Sequence, residues 1–175
     1  MQGVSFSSGL FSQLFKPLLD DFGILYWMVD FQMLPFDWRW LEEHESFLEG
    51  IRLKLPVVID ESVEVWTAHS FPKIANGIAN VDEWSYLIGF KTNEQDINQL
   101  VTKLISVRNY GCNSEIIKFV HHYKGIFLLQ IDGWWEVYTD NQKWLKKLQR
   151  HTNGRVINSD NIASNHPDLQ FDKTK

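Results

Sequence analysis

One short stretch constrains this chain more than any other. Ile126–Ile131 and Trp134–Thr139 are β-rich runs, and Asp132-Gly133 stands between them. Asp-Gly between two such runs favours a two-residue type I′ turn, whose central residues both need positive φ. The register follows from the turn: Ile131 faces Trp134, Leu129 faces Glu136, and Phe127 faces Tyr138. Such a hairpin commits the chain to antiparallel pairing.

The remaining elements are read outward from that hairpin. Ser7 or Ser8 is placed to cap a first helix, with Leu10, Phe11, Leu14, Phe15 and Leu18 on one face until Pro17 kinks or ends it. Ile24–Phe31 reads as a buried strand. Asp37 opens a helix whose inner stripe is Leu41, His44, Leu48 and Ile51, with Phe47 beside it. Val57–Ile59, Ser62–Thr67 and Glu83–Phe90 read as strands, and His69–Val81, with Pro72 and Gly77, as a loop. The clearest helix starts at Thr92, with Thr92 and Gln95 as a capping box and Asn93 as the rival cap. Ile97, Leu100, Val101, Leu104 and Ile105 follow at helical period, and Gly111 fits the position past the helix end. Ile116–Tyr123 fits either a strand or a short helix ending at Gly125. Thr139, with Gln142 as its box partner, is expected to cap a last helix. Asn153-Gly154 turns the chain into a short strand, Arg155–Asn158.

Strands and helices do not alternate regularly enough for a doubly wound fold. The expected class is α+β: a mainly antiparallel sheet with helices packed on it. The 175 residues suit one domain, placed over 1–158, with a polar tail over 159–175. No repeat or linker-like segment divides them. The single cysteine, Cys112, forms no intrachain disulfide. Met1–Ser12 lacks the pattern of a secretory signal, and the Phe22–Leu34 stretch is too short to span a bilayer. A cytoplasmic protein without membrane contact is expected.

Charge is unevenly spread. The net charge is −5, yet thirteen acidic residues face only five basic ones up to Phe90. Such a balance disfavours nucleic acid, whose phosphates demand Lys and Arg. It suits a basic protein partner, but the plainer reading is a solvated face that keeps the chain soluble. Within this half, Glu42, Glu43, Glu45 and Glu49 crowd one predicted helix. The opposite cluster, Lys143, Lys146, Lys147 and Arg150, falls on the last helix. There it could touch phosphate, or simply complement the helix dipole.

A search for catalytic groupings is mostly negative. Among the six histidines no pair has the spacing of a two-histidine zinc helix, and Cys112 has no second cysteine. No metal and no cofactor are expected. There is no nucleophile elbow and no glycine-rich phosphate cradle. Cys112 with His121 or His122 and Asp132 has the residue types of a thiol triad; a lone cysteine also serves as a small buried hydrophobe. Glu136 and Glu64 lie among aromatics, where a carboxylate can acquire a raised pKa and act as acid or base. Strand alternation gives the plainer account, with each acid on the solvent face.

The run Ile131-Asp132-Gly133-Trp134-Trp135-Glu136-Val137-Tyr138-Thr139, in a small, acidic, aromatic-rich chain, resembles strands of bacterial toxin-immunity proteins. The resemblance is one of general character over the whole chain. It implies a protein-binding module that binds and occludes a cognate toxin, with a basic toxin domain as the expected partner. Glu42, Glu43, Glu45, Glu49, Trp134, Trp135 and Glu136 are the expected partner-binding residues. The alternative is a small enzyme built on the carboxylates or on a cysteine–histidine pair.

Overall fold

The chain is represented by a computed structural model that describes residues 1–7, 21–30, 38–54, 63–68, 85–108, 113–131 and 133–161. The strands are β1 (Gln2–Ser7), β2 (Tyr26–Asp30), β3 (Val63–Thr67), β4 (Ser85–Phe90), β5 (Ile126–Ile131), β6 (Trp134–Tyr138) and β7 (Arg155–Asn158). The helices are α1 (Trp38–Glu43), α2 (Glu45–Ile51), α3 (Glu94–Arg108), α4 (Asn113–His122) and α5 (Gln142–Thr152).

Among the described residues, seven strands join one sheet in the order β3-β2-β4-β5-β6-β1-β7, and every neighbouring pair is antiparallel. The fold is α+β, an antiparallel sheet with helices packed on it, as the hairpin implied. That hairpin has the expected register, with Ile131 opposite Trp134, Leu129 opposite Glu136 and Phe127 opposite Tyr138. Gly133 has φ +79°, the conformation its turn requires, while Asp132 lies outside the described residues.

Helices cover both faces of the sheet. On one face Val4, Phe6, Trp27, Val29, Trp66, Leu128, Trp135 and Val137 form a core with Leu48 and Ile51 of α2 and with Trp144, Leu145 and Leu148 of α5. On the other, Met28, Val65, Ile88, Phe127, Leu129 and Tyr138 pack against Ile97, Leu100, Val101 and Leu104 of α3 and Ile116, Ile117 and Val120 of α4. The alternation of side chains along each strand sorts these residues between the two cores.

Several elements differ from the sequence reading. Gln2–Ser7 is a strand between β6 and β7, which the sequence reading had not assigned. Its glycine and serines give a weak strand signal. Pairing on both sides supplies what local propensity lacks, and Ser7 ends this strand. The helix expected after Asp37 is two segments, broken at His44. There the His44 Nδ1–H donates to the Trp40 carbonyl at 2.8 Å, and the ring stacks on Trp40 at 4.4 Å. The ambiguous segment from Ile116 is helix as far as His122, and Lys124, with φ 52°, is the left-handed residue just past its end. Asn93, not Thr92, caps α3: its side-chain oxygen accepts from the Asp96 N–H at 3.0 Å. Asn141, not Thr139, caps α5 by accepting from the Trp144 N–H at 3.1 Å. Thr139 is buried, and its hydroxyl donates to the Gly125 carbonyl at 3.0 Å. The first helix, Asp37, Val57–Ile59, the His69–Val81 loop, Gly111, Cys112 and all of the tail after 161 lie outside the described residues.

Gly125 and Gly133 are needed for different reasons, and substitution separates them. A Cβ on Gly125 would lie 2.7 Å from the Gly89 carbonyl oxygen, a backbone atom that cannot turn aside. A Cβ on Gly133 meets nothing within 4 Å and is opposed only by its positive φ. Gly125→Ala should therefore lose about 2–3 kcal/mol of unfolding free energy, and Gly133→Ala about 1 kcal/mol. Urea denaturation of the two variants measures both, and a larger loss at Gly133 would contradict the packing at Gly125.

Candidate functional site

The described residues offer three groupings of polar chemistry. The first is the outer side of α1 and α2. Leu48 and Ile51 turn inward to the core, so Glu42, Glu43, Glu45 and Glu49 are left exposed. Arg52, just past α2, turns back toward them. Its Nη1–H donates to Glu45 Oε1 at 2.5 Å, and its Nε–H donates to Glu64 Oε2 at 2.7 Å. The Trp66 Nε1–H donates to the same Glu64 oxygen at 2.5 Å. Partial burial opposes the charge on Arg52, but its hydrogen bonds to Glu64 and Glu45, with their negative charges, outweigh it and hold its pKa above the ordinary value. Glu64 is thus a structural anchor between α2 and β3, and Glu42, Glu43 and Glu49 remain the outward-facing carboxylates.

The second grouping is internal. Trp134 is 53% exposed, but Trp135 and Glu136 are only 3% exposed. The partner-binding residues expected on the hairpin are therefore divided, and only Trp134 meets solvent. Strand alternation correctly separates Glu136 from Trp135. It fails to put Glu136 in water, because both faces of the sheet are covered. The Tyr138 hydroxyl donates to Glu136 Oε2 at 2.5 Å. Ser5, buried, is opposite Glu136 on β1, and Arg155 is opposite Ser5 on β7. Burial, then the neighbouring Glu136 charge, push the Tyr138 phenol far above its ordinary pKa; the Arg155 charge opposes this.

The third grouping lies on α5. Trp144, Leu145 and Leu148 point inward, so Lys143, Lys146, Lys147 and Arg150 form an exposed basic side. They border an open depression of about 690 Å³, together with His151 and Asp21. Lys147 Nζ donates to Asp21 Oδ2 at 2.7 Å and holds that carboxyl below its ordinary pKa. Phe22, beside Asp21, packs edge-on against Trp144 at 4.9 Å.

Two of these contacts were within reach of the sequence. Glu64–Trp66 and Glu136–Tyr138 are i, i+2 pairs on strands, so alternation alone places each pair on one face. Arg52 and Asp21 carried no such signal, because their contacts depend on how α2 and α5 dock. His44 stacks on Trp40, and His121 and His122 end α4 exposed; Cys112, His69 and His166 lie outside the described residues. Among the described residues no cluster of three His, Cys, Asp or Glu side chains is placed to hold a metal ion, and no helix is long and apolar enough to cross a membrane. No family model matches the sequence, and neither a curated protein nor a solved structure matches the chain.

The Glu136–Tyr138 pair carries a pH signature. An unfolded tyrosine releases its proton near pH 10.0, whereas folded Tyr138 retains it. Above that pH the unfolded state binds fewer protons, so stability falls as pH rises, by up to about 1.4 kcal/mol per pH unit for this one group. Below it the contribution is fully present. Tyr138→Phe should remove that part of the slope. At neutral pH it should cost about 1–3 kcal/mol, because it strips a donor from a buried carboxylate. Chemical denaturation of parent and variant between neutral pH and about pH 11 tests both effects, and identical slopes would contradict a protonated, buried Tyr138.

Proposed function

We propose that this chain is a protein-binding module that meets a basic partner through the outer side of α1 and α2, and that the partner is a bacterial toxin domain which the chain occludes. The observation that carries the reading is the exposed row Glu42, Glu43 and Glu49, held on helices whose inner side is locked to the core by Leu48 and Ile51. Arg52 is turned onto Glu45 and Glu64 and does little to offset the outward-facing carboxylates, whereas exposed Arg39 stands one turn before Glu42 and Glu43 on α1 and offsets part of their charge. A rigid acidic face speeds encounter with a basic surface and orients it. If the toxin acts on nucleic acid, its site must bind phosphates through cations, and carboxylates can compete for those cations. Trp134, more than half exposed at the β5–β6 turn, adds an aromatic of the kind enriched at interfaces.

The enzyme alternative receives less support from the same geometry. Glu136 is buried against Tyr138, so a substrate arriving from solvent does not reach it. The Glu64 oxygen nearest the aromatics already accepts from Arg52 and Trp66.

The test is co-expression with a toxin encoded beside this chain, scored by cell survival and by association kinetics. The parent protein should bind and protect. Glu42→Lys with Glu49→Lys should slow association by about tenfold at low salt and flatten its salt dependence, as charges at an interface rim do. Circular dichroism checks that the variant is folded. No binding or protection by the parent overturns the reading, and unchanged kinetics in the variant removes α1 and α2 from the surface.

A further inference from the structure

We infer that the basic side of α5, with the depression it borders, binds a small oligophosphate anion. Lys143, Lys146, Lys147 and Arg150 line that depression against one carboxylate, Asp21. The chain as a whole has the opposite balance, with a net charge of −5. A concave surface lined mainly by one sign of charge concentrates the opposite charge at its mouth. The helix dipole does not account for the cluster. It favours cations in the last turn, where Arg150 stands, and disfavours them in the first. Lys143 is the second residue of α5, and the first turn holds no acidic residue to offset it.

One anionic group already sits on this side. The Asp21 carboxylate accepts from Lys147 Nζ at 2.7 Å, and the positive charge of Lys143, one turn earlier, acts on it as well. Asp21 is set there by its neighbour Phe22, which packs edge-on against buried Trp144 at 4.9 Å. The helix then repeats the arrangement. Lys146 and Arg150 are also one turn apart, about 6 Å at the bases of their side chains. Both are exposed, and no carboxylate among the described residues pairs with either of them or with Lys143. α5 therefore carries two adjacent cation pairs, one holding an anion and one open. Linked phosphates suit the open pair, because their oxygens accept from a guanidinium fork and from ammonium groups at once. Recognition ends at the phosphates. The described aromatics there, Phe22 and Trp144, are buried, so neither offers an exposed ring on which a base could stack. That favours an oligophosphate over a nucleic-acid strand.

The site does not rest on the acidic face of α1 and α2, and its test needs only the purified chain. Inorganic triphosphate is the probe, read by titration calorimetry and by NMR shifts of the backbone amides. Binding should be one-to-one at about 20 mM salt, with the largest shifts on α5, and much weaker at about 0.5 M, as the screening length falls from roughly 20 Å to 4 Å. Adenosine triphosphate should bind about as well, because its base adds no contact. Lys146→Gln with Arg150→Gln should weaken binding by about tenfold. Asp21→Asn should strengthen it, because it releases Lys147 and removes a like charge; a pair that merely braces the fold gives no such gain. Lys103→Gln with Lys124→Gln, exposed cations of the α3–α4 side, should leave binding unchanged. Circular dichroism checks each variant, and Lys146→Gln alone should still weaken binding if the double variant is misfolded. No binding at low salt, an equal loss from the Lys103 and Lys124 changes, or no gain from Asp21→Asn overturns the inference. So does a DNA oligomer of equal charge held more tightly than triphosphate, which would assign this side to nucleic acid.

Discussion

Strand β5 is apolar on both of its faces, and the architecture depends on that fact. Ile126, Phe127, Leu128 and Leu129 are all fully buried. Successive side chains of a strand point to opposite faces, so a run with no polar alternate can be satisfied only at the middle of a sheet covered on both sides. Antiparallel sheets often leave one face wet, and this one does not. α2 and α5 supply one cover, α3 and α4 the other. Once both covers are in place, any polar residue on the inner strands must find its partner inside the protein, since water is excluded.

That constraint explains the two strand carboxylates. Glu136 sits on an internal strand, and the Tyr138 hydroxyl two residues on supplies its hydrogen bond. Glu64 sits on the outermost strand at the other side, still partly wet, and gathers Arg52 and the Trp66 indole. Both use the i+2 neighbour on their own strand. The difference is in the charge partner. An edge strand admits a guanidinium from a neighbouring helix, and that contact locks α2 against the sheet. An interior pair relies on a neutral phenol, which avoids burying a second full charge.

The legible part of the fold was local. The β5–β6 register followed from a turn dipeptide and the pleat, and β2, β3, β4, β7 and the core stripe of α3 followed from runs of the right period. Strand β1 was opaque because its residues earn their place through pairing with β6 and β7, a non-local term that propensity does not contain. Capping was misassigned at Thr92 and Thr139 for a related reason. Several residues near each helix start can cap, and Thr139 is withdrawn from the choice because its hydroxyl donates to the Gly125 carbonyl. Burial of Glu136 was hidden because alternation assigns a face without saying whether that face is covered. Of the residues expected to meet a partner, the four helical glutamates are exposed as their stripe implied, and the hairpin residues are split by the pleat into one outside and two inside.

Charge segregation along the sequence takes on a different meaning in the folded chain. The acidic row belongs to the first half and the basic row to the last helix, separated by more than ninety positions. The strand order brings them to one layer, because β3 and β1 lie toward opposite sides of the same sheet and their covering helices pack on the same face. A chain with net charge −5 therefore presents a layer on which charge alternates from side to side instead of a uniformly negative surface. Uniform charge keeps like molecules apart, whereas separated patches of opposite sign orient whatever charged surface approaches.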